Sequence, residues 1–386
     1  MITEKLCLLG STGSIGRQTI DVAKKQNIRI TAISGNKNEE LLYEQALQLK
    51  PEIVCTADET VGKSLRIRLS SENIVVIYGS SAVNELPVTA DCDTVLDALV
   101  GIAGLMPLLF AIRADKKIAL ANKESLVCGG EIVKAELKRS NAKILPVDSE
   151  HSAIFQSLQG NSDNSIKSIY LTCSGGPFFG KDREYLRGVT KADTLKHPNW
   201  NMGNKITVDS ATLMNKGFEI IEAMHLYDLR LEQVNVVIHR QSIIHSMVEF
   251  EDNSVIAQLG VPDMRIPIQY ALTYPVRFES PAGRLSMQDL AHLTFDKPDE
   301  DTFRCLALAK KAISNGGLYP TVINGANEYA VDKFLKEKIG FLDIEGIVEY
   351  AMDHFEQKDL PITIDNIANA NSRAIELAEE YYRKHR

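Results

Sequence analysis

Leu6-Cys7-Leu8-Leu9-Gly10-Ser11-Thr12-Gly13-Ser14-Ile15-Gly16 is the stretch on which the fold turns. Four apolar residues make a short buried strand. The glycines after them let the backbone approach a pyrophosphate. The following helix, carrying Ile20, Val22 and Ala23, offers N–H donors and the positive end of its dipole. The spacing is GxxGxxG, not GxGxxG, so a glycine turn that merely packs is the competing reading. Its place after a strand and before a helix favours the nucleotide.

Working outward, Arg29 to Ser34 forms the second strand of such a unit. Its end, Ser34-Gly35-Asn36-Lys37-Asn38, lacks the acid that usually holds the ribose 2′-hydroxyl of NAD. A lysine there attracts a 2′-phosphate, so we expect NADP with Lys37 as counter-charge; a solvated surface lysine is the alternative. Strand-like runs recur at 53–55, 74–77, 94–100, 118–120 and 144–147, with helical patterns between most of them. That alternation predicts a parallel sheet covered by helices. Ligands sit at the carboxyl ends of such strands. Asn122-Lys123-Glu124 and Asp148-Ser149-Glu150 both leave strand ends, where helix capping is the ordinary use of these residues.

The acids carry a second message. Asp148 and Glu150, joined by the distant Glu219, make an oxygen donor set suited to a hard divalent cation such as Mg²⁺ or Mn²⁺. Metal plus dinucleotide implies an oxidoreductase that polarises an oxygen-rich substrate.

Further along, Ile166 to Thr172 is a strand running into Cys173-Ser174-Gly175-Gly176-Pro177-Phe178, an anion-binding nest or a tight turn at a bulge. His197 to Gly203 holds the single tryptophan, Trp200, in a loop that suits a water-excluding lid. Thr207 to Met224 reads as one helix. Asn215 and Glu219 share a face, Lys216 and Glu219 are spaced for an ion pair, and Ser210 is placed to donate to a phosphate. Runs at 234–239, 247–250 and 255–259 predict a second, mostly antiparallel sheet that could pair across a dimer, with a turn at Glu251-Asp252-Asn253-Ser254. Pro275 to Pro298 looks like a linker, and four helical patterns follow, at about 301–314, 321–335, 343–355 and 365–383.

At 386 residues the chain is too long for one ordinary core. A composition of 44% hydrophobic and 24% charged residues is that of a globular protein, and a formal charge of -8 argues against nucleic acid as the main partner. The six cysteines are scattered without a CxxC pair, which favours reduced thiols over a disulfide framework or a zinc site. The apolar stretch 98–112 is too short for a membrane span and reads as strand, turn and helix. The nucleotide turn comes so early that we expect no signal or transit segment, and a cytoplasmic location.

Eight motifs in order, GSTGSIG, SGNKN, ALANKESLVCGG, PVDSEHSAIFQ, SGGPF, HPNWNMG, KITVDSATLMNKGFEIIEA and QSIIHSMVEF, closely resemble 1-deoxy-D-xylulose 5-phosphate reductoisomerases across nearly the whole chain. The resemblance implies conversion of 1-deoxy-D-xylulose 5-phosphate to 2-C-methyl-D-erythritol 4-phosphate, a step of isoprenoid synthesis, with NADPH and Mg²⁺, Mn²⁺ or Co²⁺. It implies an α/β fold. A Rossmann-type NADP-binding domain (1–148) precedes a central α+β catalytic and dimerisation domain (149–274), a linker (275–299) and a C-terminal four-helix domain (300–386).

Carried over by residue, Thr12, Gly13, Ser14 and Ile15 hold the pyrophosphate region, and Gly35, Asn36, Lys37 and Asn38 take the adenosine ribose with its 2′-phosphate. Asn122, Glu124 and Gly203 lie on the nicotinamide side. Asp148, Glu150 and Glu219 bind the metal, and Glu219 also faces substrate. Lys123, Ser149 and Glu150 contact the reacting end of the sugar. Ser174, Ser210, Asn215 and Lys216 hold its phosphate, with His197 nearby and residues 197–204 as the lid. Lys123, Glu150 and His197 are the expected catalytic set, and a homodimer is the expected assembly. Cys173 stands where the resemblance leads us to expect Gly or Ala. An NADP-dependent semialdehyde or homoserine-type dehydrogenase and an NADP-sensing module are the rival readings.

Overall fold

The structure is a computed structural model describing residues 2–161, 163–200, 202–356 and 360–385. In chain order its elements are β1 (Lys5–Leu9), α1 (Ser14–Lys25), β2 (Arg29–Gly35), α2 (Glu39–Leu49), β3 (Ile53–Thr56), α3 (Glu59–Arg68), β4 (Val75–Tyr78), α4 (Ser80–Thr89), β5 (Thr94–Asp97), α5 (Leu105–Arg113), β6 (Lys117–Leu120), α6 (Glu124–Leu137), β7 (Lys143–Pro146) and α7 (Ser149–Ser157). Then come β8 (Ile166–Cys173), the short α8 (Arg183–Arg187) and α9 (Lys191–Thr194), α10 (Asn204–Thr212), α11 (Met214–Tyr227), β9 (Val234–Ile238), β10 (Ile244–Phe250), β11 (Val255–Leu259) and α12 (Arg265–Thr273). Four helices close the chain: α13 (Arg304–Asn315), α14 (Tyr319–Leu335), α15 (Asp343–His354) and α16 (Ile364–Lys384).

These elements form two compact units. One comprises Met1–Ser125, Val133–Phe155 and Asp263–Arg284; the other comprises Leu126–Ile132, Gln156–Pro262 and Leu285–Arg386.

The first unit is built on a seven-stranded parallel sheet of order β4-β3-β2-β1-β5-β6-β7. The order reverses at β1, which puts the nucleotide turn at the switch point of the sheet. Its inner strands are buried on both faces, as a parallel sheet requires. The core runs from Leu6, Leu8 and Ile33 to Leu96, Ala119 and Val147.

Helix α12, not anticipated from the sequence, adds Ile268, Ala271 and Leu272 to this core. Polar ties hold it there. The Thr3 N–H and the Lys117 ammonium both donate to the Leu272 carbonyl, at 3.0 and 2.9 Å. These bonds satisfy an acceptor at the helix end that would otherwise lack an intrahelical partner.

The fifth strand ends at Asp97 instead of running to Val100. The Asp97 carboxylate accepts the Leu99 N–H at 3.1 Å, and Gly101 takes φ +73 as the chain turns into a 3₁₀ segment. This side-chain bond replaces the next ladder bond.

The second unit holds a four-stranded sheet of order β11-β10-β8-β9, antiparallel except for the β8–β9 pair. The single helix expected over Thr207 to Met224 is two, α10 and α11, broken at Leu213 with φ +62. The Thr212 hydroxyl causes the break chemically. It donates to the Asp209 carbonyl at 3.2 Å and accepts the Met214 N–H at 3.3 Å, bonds that compete with the helical ladder. Helices α13 to α16 pack through Leu306, Ile323, Ala326, Ile347, Val348, Ala374 and Leu377. Among the described residues no helix is long and apolar enough to cross a membrane.

Candidate active site

The glycine turn of the first unit is built for close approach. A Cβ on Gly16 would lie 2.3 Å from the Gly10 carbonyl oxygen and 2.5 Å from the Ser11 Cα. The turn is fixed by Gly13 N–H to Gly10 O (3.1 Å) and Ser11 N–H to Ser34 O (2.8 Å). Gly13 is the N-cap of α1 and has no side chain to cap the first turn, so the N–H groups from Ser14 onward face whatever lies at that helix end. Thr12 reaches toward Gly35, whose Cβ would stand 3.3 Å from the threonine methyl. Beyond it Asn36, Lys37 and Asn38 are exposed, and the Asn38 carboxamide caps α2 by accepting the Leu41 N–H at 3.2 Å. This donor set fits a dinucleotide: backbone N–H groups for the pyrophosphate, an exposed lysine for a further phosphate.

At the carboxyl ends of β5 and β6, Asn122 is fully buried. It donates to the carbonyls of Leu99 (2.9 Å) and Gly101 (2.8 Å) and accepts the Ser125 N–H (3.0 Å). It thus braces the β5 turn and the start of α6 together. The buried Glu124 lies 3.4 Å from its amide.

Asp97, not singled out from the sequence, sits in the same buried corner. One of its carboxylate oxygens has no hydrogen-bond partner. Burial raises its pKa to about 7, with Glu124 adding to the shift and the Leu99 N–H opposing it. The visible signal was an acid ending an otherwise apolar strand.

Lys123 and Asp148 form a buried ion pair at 2.6 Å. Burial alone would raise the Asp148 pKa. The Lys123 ammonium and the His151 ring outweigh it and hold the carboxyl well below the usual carboxylate range. Glu150 is tied locally: the Ser149 hydroxyl donates to it at 2.5 Å, and its own N–H meets Asp148 at 3.4 Å. The strand end of β7 therefore presents two carboxylates, one of them held ionised. Both are hard oxygen donors of the kind a divalent cation takes.

In the second unit Glu219 is 1% exposed on α11. It accepts the Asn215 amide at 2.5 Å and pairs with the Lys216 ammonium, which also donates to the Thr172 carbonyl at the end of β8 at 2.6 Å. The helix spacing read from the sequence brings these three side chains together, and the strand end of β8 joins them.

The Ser174-Gly175-Gly176 turn is a consecutive left-handed pair, φ +73 and +68. A Cβ on Gly176 would lie 3.0 Å from the Ser210 carbonyl and from the Ala211 Cα, so the turn leans on the last turn of α10 beside Ser210. His197 joins it: its Nδ1 accepts the N–H groups of Asn199 (3.2 Å) and Trp200 (2.9 Å), while Nε2 lies 3.0 Å from the Ser174 hydroxyl. A ring nitrogen that accepts two N–H groups carries no proton, which assigns the proton of the neutral ring to Nε2 as donor to Ser174. Burial, reinforced by the Arg240 charge, lowers the His197 pKa to about 4. Ser174 Oγ also accepts the Gly176 N–H at 3.1 Å, so its own proton is directed elsewhere, as an anion requires.

Trp200 lies 5.9 Å from the His245 ring. Of the expected lid, Asn201 lies outside the described residues. Gly203 caps α10.

Three family models match the chain: 1-deoxy-D-xylulose 5-phosphate reductoisomerase over residues 6–130, its C-terminal domain over 144–227, and the DXP reductoisomerase C-terminal domain over 259–377. The 1-deoxy-D-xylulose 5-phosphate reductoisomerase of Ruminiclostridium cellulolyticum is 49% identical over 94% of this chain and 95% of its own length. That of Acetivibrio thermocellus is 49% identical over 98% and 99%. A crystal structure of DOX-P reductoisomerase in complex with NADPH, fosmidomycin and magnesium superposes with a TM-score of 0.94 at 38% identity, covering 98% of each chain. The Zymomonas mobilis reductoisomerase in complex with NADPH gives 0.90 at 38% identity, over 98% and 99%. Identity of this extent along almost the entire length, on a matching fold, makes the chain a member of the 1-deoxy-D-xylulose 5-phosphate reductoisomerase family.

Proposed function

We propose that this protein performs the family reaction at the residues described above. It is an NADPH- and metal-dependent enzyme that isomerises and reduces 1-deoxy-D-xylulose 5-phosphate to 2-C-methyl-D-erythritol 4-phosphate in isoprenoid synthesis. The observation that carries this reading is the pair of strand-end carboxylates beside Lys123, on a chain about half identical to known reductoisomerases.

When bound, a divalent cation supplies Lewis acidity to the ketone and hydroxyl oxygens of the sugar, and NADPH supplies the hydride. The chain's own residues do the rest. Asp148, Glu150 and Glu219 hold the cation, and their three negative charges exceed its two positive ones by one. Thr12, Gly13, Ser14 and Ile15 take the pyrophosphate; Gly35, Asn36, Lys37 and Asn38 take the 2′-phosphorylated ribose. Asn122, Glu124 and Gly203 flank the nicotinamide.

Ser174, Ser210, Asn215 and Lys216 bind the substrate phosphate. His197, neutral above about pH 4, keeps Ser174 oriented as a donor. Ser149 and Lys123 meet the reacting end, where the ammonium stabilises negative charge on oxygen. Glu150, a metal ligand, also moves a proton. Residues 197–204 close over the substrate and exclude water.

The division of labour follows: 1–148 for cofactor, 149–274 for catalysis and dimerisation, 275–299 as linker, 300–386 as scaffold. We place the enzyme in the cytoplasm. A semialdehyde dehydrogenase would need a thiolate nucleophile and would leave the carboxylates unused.

Glu150→Gln tests the assignment. Turnover should fall at least about 100-fold, the scale of a lost proton-transfer group, with NADPH affinity kept. Undiminished turnover would remove Glu150 from the chemistry.

A further inference from the structure

Arg240 follows β9 in the run His239-Arg240-Gln241-Ser242 and is half-buried. Its guanidinium donates from one nitrogen to two carbonyls of the glycine turn, those of Ser174 and Gly176, the latter at 2.7 Å. It stands 5.1 Å from the centre of the Phe179 ring, over its face, a cation–π contact. Its main-chain carbonyl accepts the Asn199 amide at 2.6 Å, and the same amide reaches the Ser242 hydroxyl at 2.8 Å. One residue therefore touches both the Ser174–Gly176 turn and the segment carrying His197 and Trp200.

The peptide geometry gives this contact a consequence. In a trans peptide the N–H points opposite to the C=O. Holding the Ser174 carbonyl on Arg240 turns the Gly175 N–H to the far side. The Gly176 N–H is already used by Ser174 Oγ, and Pro177 has none. A Gly-Gly pair has wide conformational freedom; one guanidinium nitrogen bonded to the carbonyls of Ser174 and Gly176, which flank the Gly175 carbonyl, restrains it. The fixed positive charge also favours an anion at the turn.

We propose that Arg240 is a positioning residue: it holds the Ser174–Gly176 turn in its anion-accepting form and, through Asn199, ties that form to the docked state of residues 197–200. Phosphate binding and lid docking are then one event. The inference rests on the reading that Ser174, Ser210, Asn215 and Lys216 hold the substrate phosphate.

The single tryptophan makes the test direct, because Trp200 emission reports lid docking in the full-length protein. Inorganic phosphate is titrated into the wild type, Arg240→Met and Arg240→Lys, each checked for a cooperative thermal transition. The wild type should show a saturable change in emission. In Arg240→Met the apparent phosphate Kd should rise about tenfold, the size of one charge-assisted hydrogen bond, and the emission change should vanish. Arg240→Lys should regain part of the affinity through its charge but not the emission change, since it lacks the planar group held against Phe179.

A merely structural role would lower the melting temperature and leave the phosphate Kd alone, which overturns the proposal. If the methionine variant does not fold, the lysine variant decides: a wild-type emission change in it also overturns the proposal. A wild type that ignores phosphate would instead refute the cradle itself, and the inference with it.

Discussion

Asp97 shows how one side chain sets a pH dependence. Its carboxyl is fully buried, with a pKa raised to about 7. The folded chain therefore keeps a proton that the unfolded chain releases near pH 4. The stabilising contribution is therefore complete below about pH 4 and is lost as pH rises through about 7. Asp97→Asn removes this loss. It should leave stability nearly unchanged at pH 4 and raise it on the order of 1–3 kcal/mol at pH 8, read from denaturant unfolding. A gain equal at both pH values would contradict the assignment. His197 and His245 act in the opposite window. Both are lowered to about 4, chiefly by burial, so they cost stability as pH falls from 6.5 toward 4. The sequence marked His197 but not its protonation, which depends on which N–H groups the fold brings to Nδ1.

At the scale of elements, the break between α10 and α11 sets two effects against each other. Leu213 is held at φ +62, a left-handed conformation costing about 1–2 kcal/mol for a residue with a Cβ. It is also 3% exposed, and truncating a buried leucine costs about 2–5 kcal/mol. Burial wins, so Leu213→Gly should destabilise the protein by about 1–3 kcal/mol in spite of the relieved backbone; a stabilised variant in urea unfolding would show that the strain dominates.

This break was illegible in the sequence. Apolar periodicity runs unbroken from Thr207 to Met224, and only the bonds of the Thr212 hydroxyl interrupt it. The strands of the parallel sheet were legible because each is a short apolar run bounded by turn residues. Helix α12 was missed, since it is only nine residues long with Pro267 inside it, and its role comes from docking on a sheet more than a hundred residues earlier in the chain. Arg240 was missed for a related reason: a lone arginine after a strand carries no local pattern, and its importance lies in two carbonyls that the fold brings to it.

At the scale of the whole molecule, we propose the homodimer expected from the sequence. The edge strand β11 exposes Val255, Ile256 and Leu259, at 51%, 37% and 38%. An uncovered apolar edge is a template for pairing with a second copy. Sedimentation should give a dimer that Ile256→Lys weakens; a monomeric wild type would refute the proposal. The reaction itself is read by NADPH oxidation at 340 nm with 1-deoxy-D-xylulose 5-phosphate, with Mn²⁺ and then with EDTA. Oxidation should require the sugar phosphate and the metal and should stop on chelation. Absence of oxidation, in protein shown to bind NADPH, would contradict the proposed reaction.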